Sequence, residues 1–103
     1  MRSFNTSAHG LSFNQLTIVR VWQKGAVISD YDSAVWRRDR CGAPIKYSDF
    51  GNTNSEFGWE IDHTQPVAKH GSDDLGNLEP LQWRNNRHKS DNWPRWYCLI
   101  PSA

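Results

Sequence analysis

Phe13, Leu16, Val19 and Trp22 recur at every third position, after a Ser12-Phe13-Asn14-Gln15 capping pattern and before Lys24-Gly25. The spacing predicts a helix over residues 13–24, although the β-branched run Thr17-Ile18-Val19 with Val21 also suits a strand. Trp36-Arg37-Arg38 and Ala43-Pro44-Ile45-Lys46-Tyr47 flank Asp39-Arg40-Cys41-Gly42, which predicts a hairpin with a tight turn. Phe57-Gly58-Trp59-Glu60-Ile61 alternates apolar with polar or small residues, a half-buried strand running into Asp62-His63. Pro66 blocks its simple continuation, and His70-Gly71-Ser72-Asp73-Asp74-Leu75-Gly76 is turn-rich. A second strand follows over residues 78–81, where Pro80 implies an edge or irregular geometry, and residues 82–91 are helical by composition. Residues 1–11, small and polar, are expected to form a flexible arm, and the apolar tail 96–100 to pack back on the core.

Strands and helices interleaved in this order imply an α+β fold, and 103 residues leave room for one domain, over 12–103. Hydrophobic content of 37% allows only a thin aliphatic core, so the six Trp, three Tyr and four Phe are expected to dominate it. A net charge of +1 gives no global attraction to nucleic acid. The basic residues are clustered, however, with Arg37, Arg38 and Arg40 in one segment and Arg84, Arg87 and Lys89 in another. Cys41 and Cys98 are too few for a disulfide framework or a four-thiolate zinc site, which leaves one bridge open. No apolar leader or membrane-length run occurs, so the expectation is a soluble cytoplasmic protein without membrane contact.

The candidate chemistry lies at 59–91. Asp62-His63 ends a strand, Asn77 lies fourteen residues beyond His63, and Asn86 follows nine further on in a basic helix. A carboxylate and an amide carbonyl suit a hard divalent ion such as Mg²⁺, which keeps several waters and needs few protein ligands. An imidazole can take a proton from water at neutral pH, and nearby cations suit a phosphodiester. Taken singly, each residue has a plainer role: a structural His63, a surface Asp62, a helix-surface Asn86, solvated arginines.

Strand, loop, strand and helix, with Asp62-His63, Pro66, Asn77-Leu78 and Asn86-x-x-Lys89 in order, resemble the ββα-metal core of HNH endonucleases, the His-Me finger superfamily. The likeness covers about residues 36–91, with the core at about 57–91. Arg37-x-Asp39-x-x-Gly42 and Gly58-Trp59-x-Ile61-Asp62-His63 are similar to a compact bacterial and phage branch. The resemblance implies His63 as general base, Asp62 and Asn86 as ligands of one divalent ion (Mg²⁺ first; Mn²⁺, Ni²⁺ or Zn²⁺ as alternatives), and Asn77 as a residue that pins the loop or holds the His63 ring. Lys89, with Arg84 and Arg87 as weaker candidates, would contact DNA phosphates. His70 stands where relatives usually carry Gly, and His88 is a poor substitute for Asn86 in the motif register.

Many relatives carry two Cys-x-x-Cys knuckles around a structural zinc. The corresponding positions here are Arg38 with Cys41 and Gln82 with Asn85, so no zinc knuckle is expected, with Trp22, Trp36, Trp59 and Trp83 supplying cohesion. The implied activity is metal-dependent hydrolysis of DNA to 5′-phosphate and 3′-hydroxyl ends, with weak sequence preference and protein partners conferring specificity. The alternative is an inactive HNH-like module that binds nucleic acid or metal.

Overall fold

The computed structural model describes residues 2–101. Its elements run α1 (Gln15–Trp22), β1 (Ala26–Val27), β2 (Trp36–Arg38), β3 (Pro44–Lys46), β4 (Trp59–His63), β5 (Leu78–Gln82) and α2 (Trp83–Lys89). β1, β2 and β3 form one antiparallel sheet, β4 and β5 another. The fold is α+β, with the expected N-terminal helix, hairpin and ββα unit in place.

The choice between helix and strand at residues 15–22 resolves to helix. Its cap is Asn14, not Ser12: the Asn14 side chain accepts the Thr17 N–H at 2.8 Å, satisfying a donor that the first turn leaves free. Ile18, Val21 and Trp22 face inward to meet Ile45, Trp59, Ile61 and Leu78. Trp22 and Trp59 lie with ring centroids 5.2 Å apart, Tyr47 and Phe50 closing the rim. Aliphatic and indole side chains share the core; Trp36 separately meets Phe57 edge to face.

Pro80 sits opposite Ile61 in the β4–β5 register. The Ile61 N–H points away from β5, to the Asn5 side chain at 2.7 Å, so this is a non-hydrogen-bonded pair. A proline N at that position costs the ladder nothing, which is why the strand tolerates it.

Three of the four knuckle-equivalent positions, Cys41, Gln82 and Asn85, are joined by hydrogen bonds through Asp39. Buried Asp39 accepts from the Cys41 and Ala43 N–H groups through Oδ1, and from the Gln82 N–H and Asn85 Nδ2 through Oδ2, all within 3.0 Å. Asn85 in turn receives the Leu99 and Ile100 N–H groups. A Cys41–Cys98 disulfide ties the tail to the same turn, closing the bridge that the sequence left open. This polar network and the disulfide add cohesion here beyond that expected of the tryptophans, of which Trp22 and Trp59 lie in the core. The tail itself corrects another expectation: tethered at Cys98 and Asn85, it leaves Tyr97 85% and Leu99 51% exposed instead of burying them.

Candidate functional site

β4 is buried at all five positions, not half-buried, because both of its faces are covered. Alternation sends Trp59 and Ile61 into the α1 core and His63 toward Phe13, while Glu60 and Asp62 meet α2.

Asp62 Oδ1 receives the ammonium of Lys89 at 3.2 Å, and the same ammonium donates to the His63 carbonyl at 3.0 Å. Lys89 is entirely buried, so its expected contact with a phosphate is corrected: it holds Asp62 and the end of β4. The other carboxylate oxygen, Oδ2, is buried and has no hydrogen-bond partner among the described residues. Burial pushes the Asp62 carboxyl up to about 8, against the pull of Lys89 and with added repulsion from Glu79, its cross-strand neighbour.

Asn86, the first buried position after Asn85 on α2, donates from Nδ2 to Glu60 Oε1 at 2.9 Å. Its carbonyl oxygen is thereby left as the ligand-capable atom. Arg87 completes the clasp on Glu60 with an ion pair at 2.9 Å and lies between the Phe4 and Trp83 rings. Its charge is largely committed, whereas Arg84 is exposed and stacks on Trp83. His88 is exposed on the outer side of α2. The other basic cluster is scaffolding: Arg37 donates to the Ser33, Gln23 and Gly25 carbonyls, Arg38 to Gly42, and Arg40 pairs with Glu79.

Asp62, His63 and Asn86 come together on one cavity of about 30 Å³, which Arg2, Phe4 and Asn5 of the N-terminal segment also line. That volume holds a small ion or a water or two, not a phosphodiester. The segment expected to be a loose arm is therefore seated on the site, through Asn5 on Ile61 and the Ala8 N–H on Asp73 at 2.9 Å.

The His63 ring is 3% exposed, packed beside Phe13, with Nε2 at 2.7 Å from Asp73 Oδ1. Burial lowers its pKa, helped by the positive charges of Arg2 and Lys89, and Asp73 offsets only part of this. The ring is neutral at physiological pH, the form that can accept a proton. For Asp73, partial burial works upward, but the hydrogen bonds from His63 and Ala8 hold the carboxyl below its usual range.

Asn77 is not among the residues that line the cavity. Its Oδ1 accepts the Gln65 N–H at 2.8 Å, and its Nδ2 donates to the Gln65 and Ser72 carbonyls, which staples the two ends of the loop between β4 and β5. Within that loop His70 has φ 72°, the left-handed region that favours Gly. At Gly71 a Cβ would fall 1.7 Å from the Gln65 carbonyl oxygen, so the staple requires that glycine.

The HNH endonuclease family model matches residues 39–92, which takes in the turn of the hairpin, both strands of the site and α2. The chain belongs to the HNH endonuclease family. No curated protein and no solved structure matches it significantly. The HNH core accounts for the placement of Asp62, His63 and Asn86, but sequence reasoning missed Asp73, Glu60 and the covering segment. Asp73 stands next to Asp74 in a turn-rich stretch, and nothing in the order of residues singles out which acid turns toward His63.

HNH proteins generally use a divalent metal, and the residues present fit one: a buried, unpartnered carboxylate oxygen beside an amide carbonyl on a water-sized cavity. Clusters of three or more His, Cys, Asp or Glu side chains do not occur among the described residues. Any ion at this pair would therefore complete its shell with water, as Mg²⁺ does. No helix among the described residues is long and apolar enough to cross a membrane.

Proposed function

We propose that this chain is a divalent-metal-dependent endonuclease that hydrolyses phosphodiester bonds in DNA. The observation that carries the reading is the buried, unpartnered Oδ2 of Asp62, a residue that lines one cavity with Asn86 and His63. Leaving an acceptor buried without a partner costs about 1–3 kcal/mol, more for a charged one, and a bound cation removes that cost. Asp62 Oδ2 and the Asn86 carbonyl would hold it, with Mg²⁺ favoured by the oxygen donors and Mn²⁺, Ni²⁺ or Zn²⁺ as substitutes. When bound, such an ion supplies positive charge to the phosphate and to the departing 3′ oxygen.

The protein's own groups supply the rest. Lys89 fixes Asp62, Glu60 fixes the Asn86 amide, and Asn77 shapes the loop behind His63. His63 takes one proton from a water whose oxygen bonds to phosphorus while the bond to the 3′ oxygen breaks. The released oxygen regains its proton from solvent. Arg84, exposed on α2, would contact a neighbouring DNA phosphate, with protein partners adding specificity. A cytoplasmic location would stand against the Cys41–Cys98 disulfide, because cytosolic thiols are kept reduced.

A second reading, a module that binds without turnover, draws on the covered cavity and the 3% exposure of His63. The deciding experiment is nicking of supercoiled plasmid with Mg²⁺ or Mn²⁺. Cutting by the native chain that is lost in His63→Ala supports the nuclease; equal traces in both support the binding module.

A further inference from the structure

The turn-rich loop between β4 and β5 contributes one side chain to the site that the HNH motif does not name. Asp73 Oδ1 lies 2.7 Å from His63 Nε2, and the pair is within ordinary charge-assisted hydrogen-bond distance. An ionised carboxylate has no hydrogen to give, so a bond of this length requires the hydrogen on Nε2. The other ring nitrogen, Nδ1, is bonded to none of the described residues and belongs to a ring that lines the cavity with Asp62 and Asn86. The carboxylate is itself fixed, since the Ala8 N–H reaches both of its oxygens at 2.9 and 3.2 Å. Asn77, stapling Gln65 to Ser72, sets the path of the chain immediately before Asp73.

We propose that Asp73 is a positioning residue for His63: it holds the imidazole as the Nε2–H tautomer, fixes the ring plane, and leaves the Nδ1 lone pair to receive the proton of water. It touches neither substrate nor ion and acts only through the ring. The proposal rests on the nuclease reading for its kinetic part, while its structural part stands on the 2.7 Å contact alone. Covering Asp73 from the other side, the N-terminal segment becomes part of the catalytic apparatus through one backbone N–H.

The test uses the full chain with ¹⁵N-labelled histidine, as native protein and as Asp73→Ala, Asp73→Glu and His63→Ala. Imidazole ¹⁵N–¹H correlation spectra, assigned through His63→Ala, are expected to show native His63 protonated at Nε2 and bare at Nδ1. In Asp73→Ala that preference is lost, and kcat for Mn²⁺-supported plasmid nicking falls by about 10–100-fold with KM little changed. Asp73→Glu restores part of the rate, and circular dichroism stays native in both. Native His63 protonated at Nδ1, or an Asp73→Ala protein with native tautomer and rate, overturns the proposal. Native protein that cuts nothing refutes the nuclease reading, and the spectra then still decide whether Asp73 sets the ring.

Discussion

Lys89 Nζ stands 3.2 Å from one oxygen of Asp62, while the other oxygen, equally buried, is bonded to no described residue. The ammonium orients the carboxylate and leaves one lone-pair face unspent, the face that the proposed ion would take. Above about pH 8, where Asp62 is ionised, Lys89→Met removes the only cation bonded to it among the described residues and is expected to lower the stability of the metal-free protein by about 3 kcal/mol. Added Mn²⁺ should recover much of that loss by taking over the carboxylate. Chemical denaturation with and without the ion measures both effects, and an unchanged metal-free midpoint would remove Lys89 from this role.

Asp62 also fixes how stability depends on pH. In the unfolded chain its carboxyl loses the proton near pH 4, whereas burial keeps it protonated in the fold up to about 8. Across that window unfolding releases a proton, so this group makes the metal-free protein less stable as pH rises, and the effect levels off above the folded value. A cation must displace the same proton. Its affinity should therefore climb toward tenfold per pH unit through the window, with about one proton released per ion. Calorimetry in buffers of different ionisation enthalpy counts that proton; none released below pH 7 would mean that Asp62 is already ionised or is not the ligand.

Asp39 carries a load that the sequence does not advertise. Four N–H donors from two distant segments converge on its buried carboxylate. Asp39→Ala leaves all four without an acceptor and is expected to cost at least about 3 kcal/mol. Urea unfolding measures it, and a loss below about 1 kcal/mol would show that water substitutes for the carboxylate there.

What could be read from residue order follows a physical division. Period and punctuation located β4, β5 and α2 because Trp59, Ile61 and Leu78 must be buried and because Pro66 and Gly71 must break the chain. The spacing of Asp62, His63 and Asn86 was enough to bring them to one cavity. The partners of charged groups were not legible, because they are set by three-dimensional approach: Lys89, expected at a phosphate, is buried, and Arg37, one of a basic cluster, binds carbonyls. Asn5 gave no periodic signal at all, yet it supplies the acceptor that β4 lacks on its open edge.

The two exposed arginines of α2 should behave differently toward DNA. Arg87 already neutralises Glu60, whereas Arg84 only stacks on Trp83. Arg84→Ala is expected to reduce the slope of log affinity against log salt by about one, uniformly across sequences. Arg87→Ala should change that slope less and instead destabilise the fold, since buried Glu60 loses both hydrogen bonds from the guanidinium and keeps the one from Asn86. Binding titrations at several salt concentrations separate the two, and equal slope changes would mean that Glu60 releases Arg87 to the DNA.

Access to the cavity sets the last expectation. Arg2, Phe4 and Asn5 line a space of about 30 Å³, too small to take a phosphodiester while they stay in place. Asn5→Ala removes the acceptor for the Ile61 N–H and weakens the seat of this segment on β4, at a cost of about 1 kcal/mol in stability. It leaves Ala8 on Asp73, so the His63 contact persists. If opening of the segment limits the reaction, kcat/KM for plasmid nicking should rise severalfold in Asn5→Ala, with amide exchange at Ile61 accelerated in parallel. A variant whose exchange quickens while its cutting slows would show that residues 2–5 help hold the substrate and do not merely cover its place.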